Sequence, residues 1–408
     1  MASAYTMTPN PADPFSRWMA DYFDEKDVVA VATGFQSLFG RPENGGQTLY
    51  SPDSLTVDID IIRANERTAA LIPRGMISRP LNKQQNLNVE KYSAFSRLFP
   101  LVEEEGDITG NQILYRVAGE NPYERRGRLE RMRHLGRKVH AESVRRIVRL
   151  FERLAAQSVL DGEQDAILGA GSDSQFDFLR SSDNSITVDT EWDASGADPM
   201  NDIDAACDQV RVASKTRPDM MILGGEAMDA LLGNEDFLER SDNRRFELIE
   251  VGLNNQVPPH YQRYVDAGFN ARGRLRTAKG YELWMFTYID VYTDESGNSV
   301  KYMPDDKAII LSSRARFDRY FGPPEQLPMI PMRMQLYTEL FGMSPDAPAM
   351  PPNMMAPGAI IDPAMFYADA YVSQDWKKVS IRTQAAPIFA TTQTDAVVTL
   401  SGLIAEGS

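Results

Sequence analysis

Two carboxylates on one predicted strand are the residues best placed to do chemistry. Asp58 and Asp60 alternate with Val57, Ile59 and Ile61, so both should point to the same face of a β-strand. Such a pair could hold a divalent cation or work as an acid and a base. Two solvated carboxylates on the wet face of a strand explain the pattern more simply. A carboxylate-dependent metal enzyme therefore stays an alternative function and not the leading one.

Other residue types that catalyse reactions or bind metals are scarce. The chain has three histidines, His134, His140 and His260, and a single cysteine, Cys207. A zinc site would need carboxylates to complete its ligands, and no intrachain disulfide can form, which fits a reducing compartment. His134 and His140 lie among arginines, so we expect them at a surface or an interface. No GxxxxGK[ST], GxSxG or HExxH motif occurs, and the sequence predicts neither an enzyme nor a cofactor.

A strongly basic run divides an otherwise acidic chain. Residues 124–153 contain ten Arg and one Lys against four Glu, whereas the whole chain has a formal net charge of −15. A solvated helix face needs no such bias, but a face set against another subunit or a polyanion does. The candidate contact residues are Arg125, Arg126, Arg133, Arg137, Lys138, Arg145, Arg146 and Arg149.

A long helix must position the basic run. Its apolar residues recur close to a helical period, at Leu129, Met132, Leu135, Val139, Ile147, Leu150, Phe151 and Leu154. Pro122 precedes the pattern and Gly162 can end it. The spacing therefore predicts one helix over residues 123–162, on the order of 55 Å long. Gly127 and Gly136 should weaken or bend it.

A DNA-binding helix is a further alternative for the basic run. Arginine alone can make weak, sequence-independent contacts with phosphates. However, Phe151 is the only aromatic residue after Tyr123 in this run, although interleaved aromatic residues would favour nucleic acid. The sequence pI near 4.8 also disfavours binding of free DNA by the subunit.

Large apolar residues near the beginning of the chain lie on one face of a short predicted helix. They are Phe15, Trp18, Met19 and Tyr22. A helix that faces its own core explains such a stripe. The alternative is an N-terminal arm over residues 1–50 that uses this face to anchor on a neighbouring molecule.

The segment after the predicted strand contains few residues able to build a core. Residues 74–88 have the sequence RGMISRPLNKQQNLN, which is typical of a long hairpin or projecting loop. Residues 92–102 would be its returning limb, and residues 103–107 would form an acidic turn.

Later segments alternate between helix and strand patterns and predict an α/β or α+β second domain. The patterns give helices over residues 200–214 and 226–232 and strands over 219–223, 282–292, 300–311 and 378–403. Between them, residues 323–365 hold ten of the 25 prolines and eight of the 19 methionines. Proline at that density rules out long helices, and we favour an ordered, extended arm over a disordered linker there.

Five groups of short motifs resemble those of one protein family. They are residues 155–162 (AAQSVLDG), Thr190-Glu191-Trp192 with Asp198-Pro199 and Asp202-Ile203, residues 302–305 (YMPD) with 309–311 (IIL), residues 319–322 (RYFG) and residues 384–387 (QAAP). Together with a leading arm, a projecting hairpin and a long helix, their order resembles the major capsid protein of tailed bacteriophages. The match is closest to the lambda-type major capsid protein E family. The longer Pro/Met-rich stretch is the main departure.

The resemblance implies an α+β, Hong Kong 97-type phage capsid fold with five parts. These would be an N-terminal arm over residues 1–50, a strand plus extended loop over 51–110 that projects at 74–102, a peripheral domain over 111–199 with the spine helix 123–162, an axial domain over 200–375 with the Pro/Met-rich segment 323–365, and C-terminal strands over 376–408 that return to the peripheral domain. An arm and a loop without cores of their own make sense when partner subunits bury them.

The resemblance also implies a structural function without catalytic, cofactor-binding or metal-binding residues. Copies of the chain would form hexamers and pentamers of an icosahedral phage head that encloses double-stranded DNA, which they would contact weakly and without sequence preference. A portal, a scaffold and a decoration protein would be further partners. The protein would belong to the virion and assemble in the bacterial host cytoplasm, without a membrane. A cellular nanocompartment shell of the same fold is the alternative within this structural class.

Overall fold

The computed structural model describes residues 33–50, 56–61, 92–109, 128–165, 175–234, 237, 246–248, 257–294, 296–323, 367–372 and 378–405. The α-helices whose bounds are described are α1 (Arg128–Leu160), α2 (Pro199–Ser214), α3 (Gly225–Gly233) and α4 (Pro259–Asp266). The β-strands are β1 (Thr48–Tyr50), β2 (Thr56–Ile61), β3 (Tyr92–Leu98), β4 (Val102–Thr109), β5 (Glu163–Asp165), β6 (Gln175–Asp177), β7 (Ser185–Thr187), β8 (Met220–Leu223), β9 (Phe246–Leu248), β10 (Asn270–Arg276), β11 (Glu282–Thr287), β12 (Val291–Thr293), β13 (Ser299–Lys301), β14 (Ala308–Leu311), β15 (Asp318–Phe321), β16 (Tyr367–Val372), β17 (Lys378–Ala385), β18 (Pro387–Ala390) and β19 (Val397–Ser401).

The long helix α1 forms where the apolar spacing predicts it. It ends at Leu160, and residues 123–127 of the predicted helix lie outside the described residues. Gly162 then takes a φ of +74°, the left-handed conformation that glycine adopts without a steric penalty. The Arg180 guanidinium donates to the carbonyls of Val159 and Leu160 at 3.2 and 2.6 Å. These bonds satisfy acceptors that the end of a helix leaves open.

The first half of α1 packs on an antiparallel three-stranded sheet in the order β16-β17-β4. Two glycines allow the close approach. A Cβ at Gly106 of β4 would lie 2.2 Å from Val139 Cγ1, and a Cβ at Gly136 would lie 3.2 Å from Ile381 Cδ1. Gly136 lies inside the continuous helix, so its place in the sequence is explained by packing.

The acidic turn predicted over residues 103–107 is wrong, because these residues belong to strand β4. This strand pairs with β17 along its whole length. Basic residues of β17 lie near its carboxylates: Lys378 Nζ is 2.8 Å from Asp107, and Arg382 Nε is 3.0 Å from Glu103. Such cross-strand ion pairs offset the repulsion between neighbouring carboxylates. An acidic sequence that looks unsuited to a strand is therefore stabilised by its partner strand.

A mixed seven-stranded sheet has the order β7-β19-β14-β8-β11-β10-β9. Side chains of its central strand β8 alternate between two cores. Met220 and Ile222 pack in a cluster with the second half of α1, whereas Met221 and Leu223 pack in a cluster with α2 and α3. The sheet therefore lies between α1 on one face and α2 with α3 on the other. The three elements predicted in this region are confirmed as α2, β8 and α3.

The strands predicted over residues 282–292 and 300–311 are wrong in their extent. Four shorter strands occupy this region: β11 and β14 belong to the seven-stranded sheet, and β12 and β13 form a separate hairpin. The chain leaves the sheet at Tyr288, whose buried ring packs on Phe35 and Phe269 with centroid distances of 5.4 and 4.9 Å. This aromatic anchor turns the backbone out of the sheet, which the local apolar pattern does not reveal.

Strands β2 and β3 form a two-stranded antiparallel ribbon in which Ile61 is the partner of Tyr92. Ile59 and Ile61 are fully buried in a third core cluster, which also contains Phe99 and Phe178. The described residues on either side of the segment 62–91 therefore lie side by side. The strand predicted around Asp58 is confirmed as β2, and the predicted returning limb contains β3.

The C-terminal strands join three different sheets. β17 lies between β16 and β4, β18 pairs with β15 in a sheet with β1, and β19 lies between β7 and β14. The predicted return of the segment 376–408 to the peripheral domain stays a prediction, and β19 lies between β7 of the predicted peripheral domain and β14 of the predicted axial domain. Val397, Val398 and Leu400 are all buried, as a strand inside a covered sheet requires. The domain boundaries themselves stay a prediction.

Several predictions concern residues outside the described part of the chain. They are the apolar face of Phe15, Trp18, Met19 and Tyr22, most of the projecting loop at 74–102, the basic residues Arg125 and Arg126, and most of the Pro/Met-rich segment 323–365. Among the helices that are described, none combines the length and the apolar character needed to cross a membrane.

Candidate assembly surface

The outer face of α1 presents a stripe of charged residues. Lys138, Glu142, Arg146 and Arg149 are exposed and follow one another at helical spacing. The opposite face of the helix is apolar and buried, with Ile147 at 1% exposure in the core that it shares with the seven-stranded sheet. The helix therefore holds the subunit together with one face and offers charge on the other.

Arg146 lies close to two carboxylates of its own chain. Its Nη2 is 3.0 Å from Glu142 Oε1, one turn earlier on α1, and its Nη1 is 3.4 Å from Glu104 Oε2 of β4. The side chain is 58% exposed, so solvent screens both pairs and each contributes little to stability. Arg153, farther along the helix, is 2.9 Å from Asp165. Part of the basic charge of α1 is thus balanced inside the subunit.

The structure separates the predicted contact residues into groups. Lys138 and Arg149 are exposed, and neither has an ion pair within the part of the chain that the structure describes. Arg145 is half-buried, and Arg146 has the two partners given above. The side chains that lie outside the described residues are those of Arg125, Arg126, Arg133 and Arg137. Lys138 and Arg149 are therefore the described residues best placed to contact another molecule.

His140, which we expected at a surface or an interface, is fully buried. Its Nδ1 lies 2.9 Å from Thr383 Oγ1 of β17. Burial lowers the pKa of this imidazole to about 3, so the ring is neutral at physiological pH. The prediction was wrong because helical geometry places His140 on the face opposite to its exposed basic neighbours Lys138 and Arg149.

Glu152 is a buried polar anchor that the sequence reasoning missed. Its carboxylate accepts hydrogen bonds from the backbone N–H of Phe35 at 2.6 Å, the N–H of Gln36 at 3.1 Å and the Tyr288 hydroxyl at 2.9 Å. Burial raises the pKa of this carboxyl to about 7, against the opposing effect of the three donors. One signal was available: Glu152 lies one turn after Val148, on the apolar face of α1.

A buried arginine holds the last part of the predicted N-terminal arm (residues 1–50) against the rest of the subunit. Arg41 donates to the Tyr264 hydroxyl of α4 at 2.5 Å, and its guanidinium lies 4.2 Å from the centroid of the same ring. Burial lowers the pKa of Arg41 to about 10, so it stays charged at neutral pH. Nearby, Arg263 is 2.8 Å from Glu43. With the bonds to Glu152, these contacts fix the first described residues against α1 and α4.

One cluster contains the residue types of a Ser-His-Asp triad in a different arrangement. Ser313 Oγ donates to Asp219 Oδ2 at 2.6 Å, and His260 Nε2 lies 3.0 Å from the same Oγ. In a nucleophilic triad, histidine accepts the serine proton and aspartate orients the histidine. Here Asp219 accepts the hydrogen bond that the serine hydroxyl donates. Ser313 Oγ can therefore only accept a hydrogen bond from His260. The serine is therefore not activated as a nucleophile.

The carboxylate pair on β2 is only partly described. Asp58 is exposed, and the side chain of Asp60 lies outside the described residues. No group of three or more His, Cys, Asp or Glu side chains within the described ranges could hold a metal ion. Cys207 is buried, and burial raises the pKa of its thiol. Among the described residues, the notable polar features are therefore the charged stripe of α1 and the buried side chains of Glu152 and Arg41, which hold the chain together.

Comparison with known proteins identifies the family. The chain matches the family described as phage major capsid protein E over residues 53–401, and no curated protein matches it. It is similar to the crystal structure of a capsid protein of a prophage of E. coli CFT073, with 16% identity, a TM-score of 0.60 and coverage of 95% of this chain and 98% of that one. Less similar are the capsid of Ralstonia phage GP4 (10% identity, TM-score 0.48, 94% of each chain) and the SrpI encapsulin of Synechococcus elongatus PCC 7942 (12% identity, TM-score 0.35, 77% of each chain).

The family match spans most of the chain, and the prophage protein shares the arrangement of helices and sheets. The predicted Hong Kong 97-type phage capsid fold is confirmed. A subunit of this kind functions through contacts between copies, which agrees with a long helix that is anchored on one face and charged on the other. The chain belongs to the phage major capsid protein E family: it is a capsid shell protein of a phage virion, not an enzyme, and many copies of it assemble into the shell.

Proposed function

We propose that the chain forms the hexamers and pentamers of an icosahedral phage head that encloses double-stranded DNA. A portal, a scaffold and a decoration protein are its further partners, and the head assembles in the bacterial host cytoplasm. Membership in the capsid family supports a shell. The symmetry, the contents and the other partners rest on the resemblance in sequence and on the surfaces described above.

The observation that carries this proposal is the pairing of Ile61 with Tyr92 at the end of the β2–β3 ribbon. Buried Ile59 and Ile61 fix the base of the ribbon in the core. A two-stranded ribbon is marginally stable by itself, so a segment that leaves from its end gains stability by packing on another subunit. We assign this role to the part of the predicted projection at 74–102 that precedes β3, which is residues 74–91.

The predicted domains give the described elements their places in this subunit. We assign α1 and the three-stranded sheet to the peripheral domain, and the seven-stranded sheet with α2 and α3 mainly to the axial domain at residues 200–375. The N-terminal arm, over residues 1–50, would anchor on a neighbour through Phe15, Trp18, Met19 and Tyr22. The last part of the arm is held by its own subunit, because Glu152 bonds the backbone of Phe35 and Arg41 bonds Tyr264.

The charged stripe of α1 would contact neighbouring subunits and, more weakly, packaged DNA. Lys138 and Arg149 are exposed on it without an ion pair in the described part of their own chain. A formal net charge of −15 means that neighbouring copies present acidic surfaces. It also keeps non-specific attraction to DNA weak, because such binding depends on phosphate neutralisation by cations.

Negative-stain microscopy of the purified chain, expressed with and without its scaffold, tests the proposal. We expect shells, tubes or hexamers, whereas a persistent monomer at high concentration with scaffold present would overturn it. Double-stranded DNA protected inside particles from infected cells, and genes for a portal and a large terminase next to this one, would support a phage head. Particles filled with protein cargo would favour the nanocompartment instead.

The role of the stripe is tested by the charge reversals Lys138→Glu and Arg149→Glu in one chain. We expect impaired shell formation while the dispersed subunit keeps its fold and its low affinity for DNA. A matched control reverses Arg272 and Lys301, which are exposed on β10 and β13. Normal shells that package less DNA would show that the stripe faces the lumen and not a neighbouring subunit.

A further inference from the structure

Opposite charges are completely separated along one stretch of this chain. Residues 181–210 contain eight Asp or Glu and no Lys or Arg, whereas residues 211–217 contain two Arg and one Lys and no acidic residue. Helix α2 spans the boundary, with Asp198 as its N-cap and Arg211 in its last turn. Its 16 residues place the two charged ends roughly 24 Å apart.

The acidic end is a rigid loop, which we call the acidic loop (residues 189–198). Buried Trp192 fixes it: the Trp192 N–H donates to the Leu403 carbonyl at 2.7 Å, and Nε1 donates to Asp202 Oδ2 at 3.0 Å. The neighbouring Asp189, Glu191 and Asp193 are all exposed. The loop therefore presents carboxylates in a fixed arrangement and loses little conformational entropy when a partner binds them.

The basic end is a depression of about 390 Å³, which we call the basic pocket (Arg211, Lys215, Arg217 and Lys279). Lys279 Nζ is 2.5 Å from Asp208 Oδ2, whereas Arg217 Nη2 donates only to the Gly280 carbonyl, at 2.9 Å. Neither Lys215 nor Arg217 forms an ion pair with any described residue. The pocket therefore has cations that remain available for carboxylates of another molecule.

The helix dipole explains only part of this arrangement. Acidic residues at the beginning of a helix and basic ones at its end are favourable within the first and last turns. This accounts for Asp198 and Arg211. It does not account for Glu191 and Asp193, which lie in the loop before the helix, or for Lys279, which lies on the turn between β10 and β11.

We propose that the basic pocket of one copy binds the acidic loop of an adjacent copy. The proposal rests on the proposed function, since it names the contact that joins subunits within a ring. Two different, complementary patches at opposite ends of one helix produce a head-to-tail interface, which closes into a ring when the rotation between copies permits it. DNA is the other polyanion that a basic pocket could bind, but Asp208, which pairs with Lys279 of the pocket, and the acidic loop on every copy favour protein.

Two charge-reversed chains test the contact. The pocket variant contains Lys215→Glu and Arg217→Glu, and the loop variant contains Glu191→Lys and Asp193→Lys. Like charges would then face each other, so we expect each variant alone to need a subunit concentration ~10-fold higher for assembly, measured by light scattering and microscopy. The control with Arg272→Glu on β10 and Lys301→Glu on β13, neither of which lines the pocket, should assemble like the wild type.

An equimolar mixture of the two variants gives the sharpest result. Each reversed pocket can then meet a reversed loop, and each normal pocket a normal loop, so the subunits can alternate around a ring. We expect hexamers to return while pentamers and closed shells do not, because alternation requires an even number of subunits. A chain with all four reversals should recover closed shells as well.

Different failures remain distinguishable. Absence of any assembly by the wild type would contradict the proposed function itself. Wild-type shells together with normal assembly of either variant, or a mixture that does not recover, would overturn this inference alone. A pocket variant that assembles normally but packages less DNA would identify the pocket as a nucleic-acid contact. Recovery in the mixture also proves that both variants are folded.

Discussion

The surroundings of α1 and the segment 181–217 distribute their charges in opposite ways. The basic run on α1 is the strongest charge feature of the sequence, yet Arg146 lies near Glu104 and Glu142 of the same chain. In the segment 181–217 the exposed carboxylates of the acidic loop and the cations Lys215 and Arg217 lie at opposite ends of α2, and neither of these two cations has an ion pair among the described residues. The distance between a charged side chain and opposite charges of its own chain, and not the length of a charged run, therefore indicates which residues can form ion pairs with another subunit.

The comparison extends to the buried residues. The buried face of α1 includes polar groups with internal partners, such as Glu152 with three donors and His140 with Thr383. The exposed residues of the acidic loop and the basic pocket contribute little to the core. We therefore expect substitutions around α1 to change the stability of the isolated subunit, and substitutions in the segment 181–217 to change association.

The largest expected effect is that of Glu152→Ala. The change leaves two backbone N–H groups and the Tyr288 hydroxyl buried without their acceptor, and each such group costs on the order of 1–3 kcal/mol. We expect the free energy of unfolding of the dispersed subunit to fall by about 4 kcal/mol, measured by urea denaturation. Glu142→Ala, on the exposed face of the same helix, is the control and should change it by less than about 0.5 kcal/mol. An equal loss of stability in Glu152→Ala and Glu142→Ala would contradict the assignment of Glu152 as a buried anchor.

Glu152 should also make subunit stability depend on pH. Its pKa is raised from 4.5 to about 7 in the folded chain, so between these values the folded state binds more protons than the unfolded state. The free energy of unfolding should therefore fall as pH rises through this window, by at most about 3 kcal/mol, and level off above it. Urea denaturation of wild type and Glu152→Gln at several pH values measures the difference. Parallel pH profiles for the two chains would contradict the assignment.

Gly106→Ala should have the next largest effect. A Cβ at this position would lie 2.2 Å from Val139 Cγ1, so β4 and α1 must move apart, at a cost of about 2 kcal/mol of stability. Thermal unfolding of the subunit measures the loss. Gly233→Ala, where no atom lies within 4 Å of the added Cβ, is the matched control. The additional change Val139→Ala should recover part of the loss, and a lack of recovery would place the clash elsewhere.

The smallest expected effect separates the two regions most directly. Arg146→Ala should lower the free energy of unfolding by about 1 kcal/mol or less, because its two ion pairs are exposed. Arg217→Ala should leave unfolding unchanged and weaken assembly. Urea denaturation and light scattering of the same preparations make the comparison. A loss of subunit stability only in Arg217→Ala would reverse the roles that we assign to the two regions.

Sequence patterns were sufficient where local periodicity decides the structure. The spacing of apolar residues predicts α1, and the acidic first turn after Asp198 with the apolar run before Gly224 predicts α2, β8 and α3. In these elements neighbouring residues supply both the propensity and the buried face. The family motifs then gave the order of the parts and hence the fold.

Distant partners decided the structure where prediction failed. Residues 103–107 form a strand because Lys378 and Arg382 lie nearby, and these partners come more than 270 residues later in the chain. His140 and Glu152 lie on the buried face of α1, as helical spacing indicates, but their partners Thr383 and Phe35 are distant in the sequence. The basic pocket likewise combines the end of α2 with a hairpin turn some 60 residues away, which no local pattern indicates.

The position of β19 has a consequence for the timing of synthesis. It lies between β7 and β14, and its residue Thr399 pairs with Ser185, so β7 cannot join the seven-stranded sheet until this strand has been made. At ~5–20 residues per second, translation from Ser185 to Thr399 takes roughly 10 to 40 s. During that time the core beside α1 lacks Val397 and the core beside α2 lacks Val398 and Leu400, and a chain interrupted before β19 cannot complete its fold. Only subunits that the ribosome has carried past β19 can therefore enter a shell.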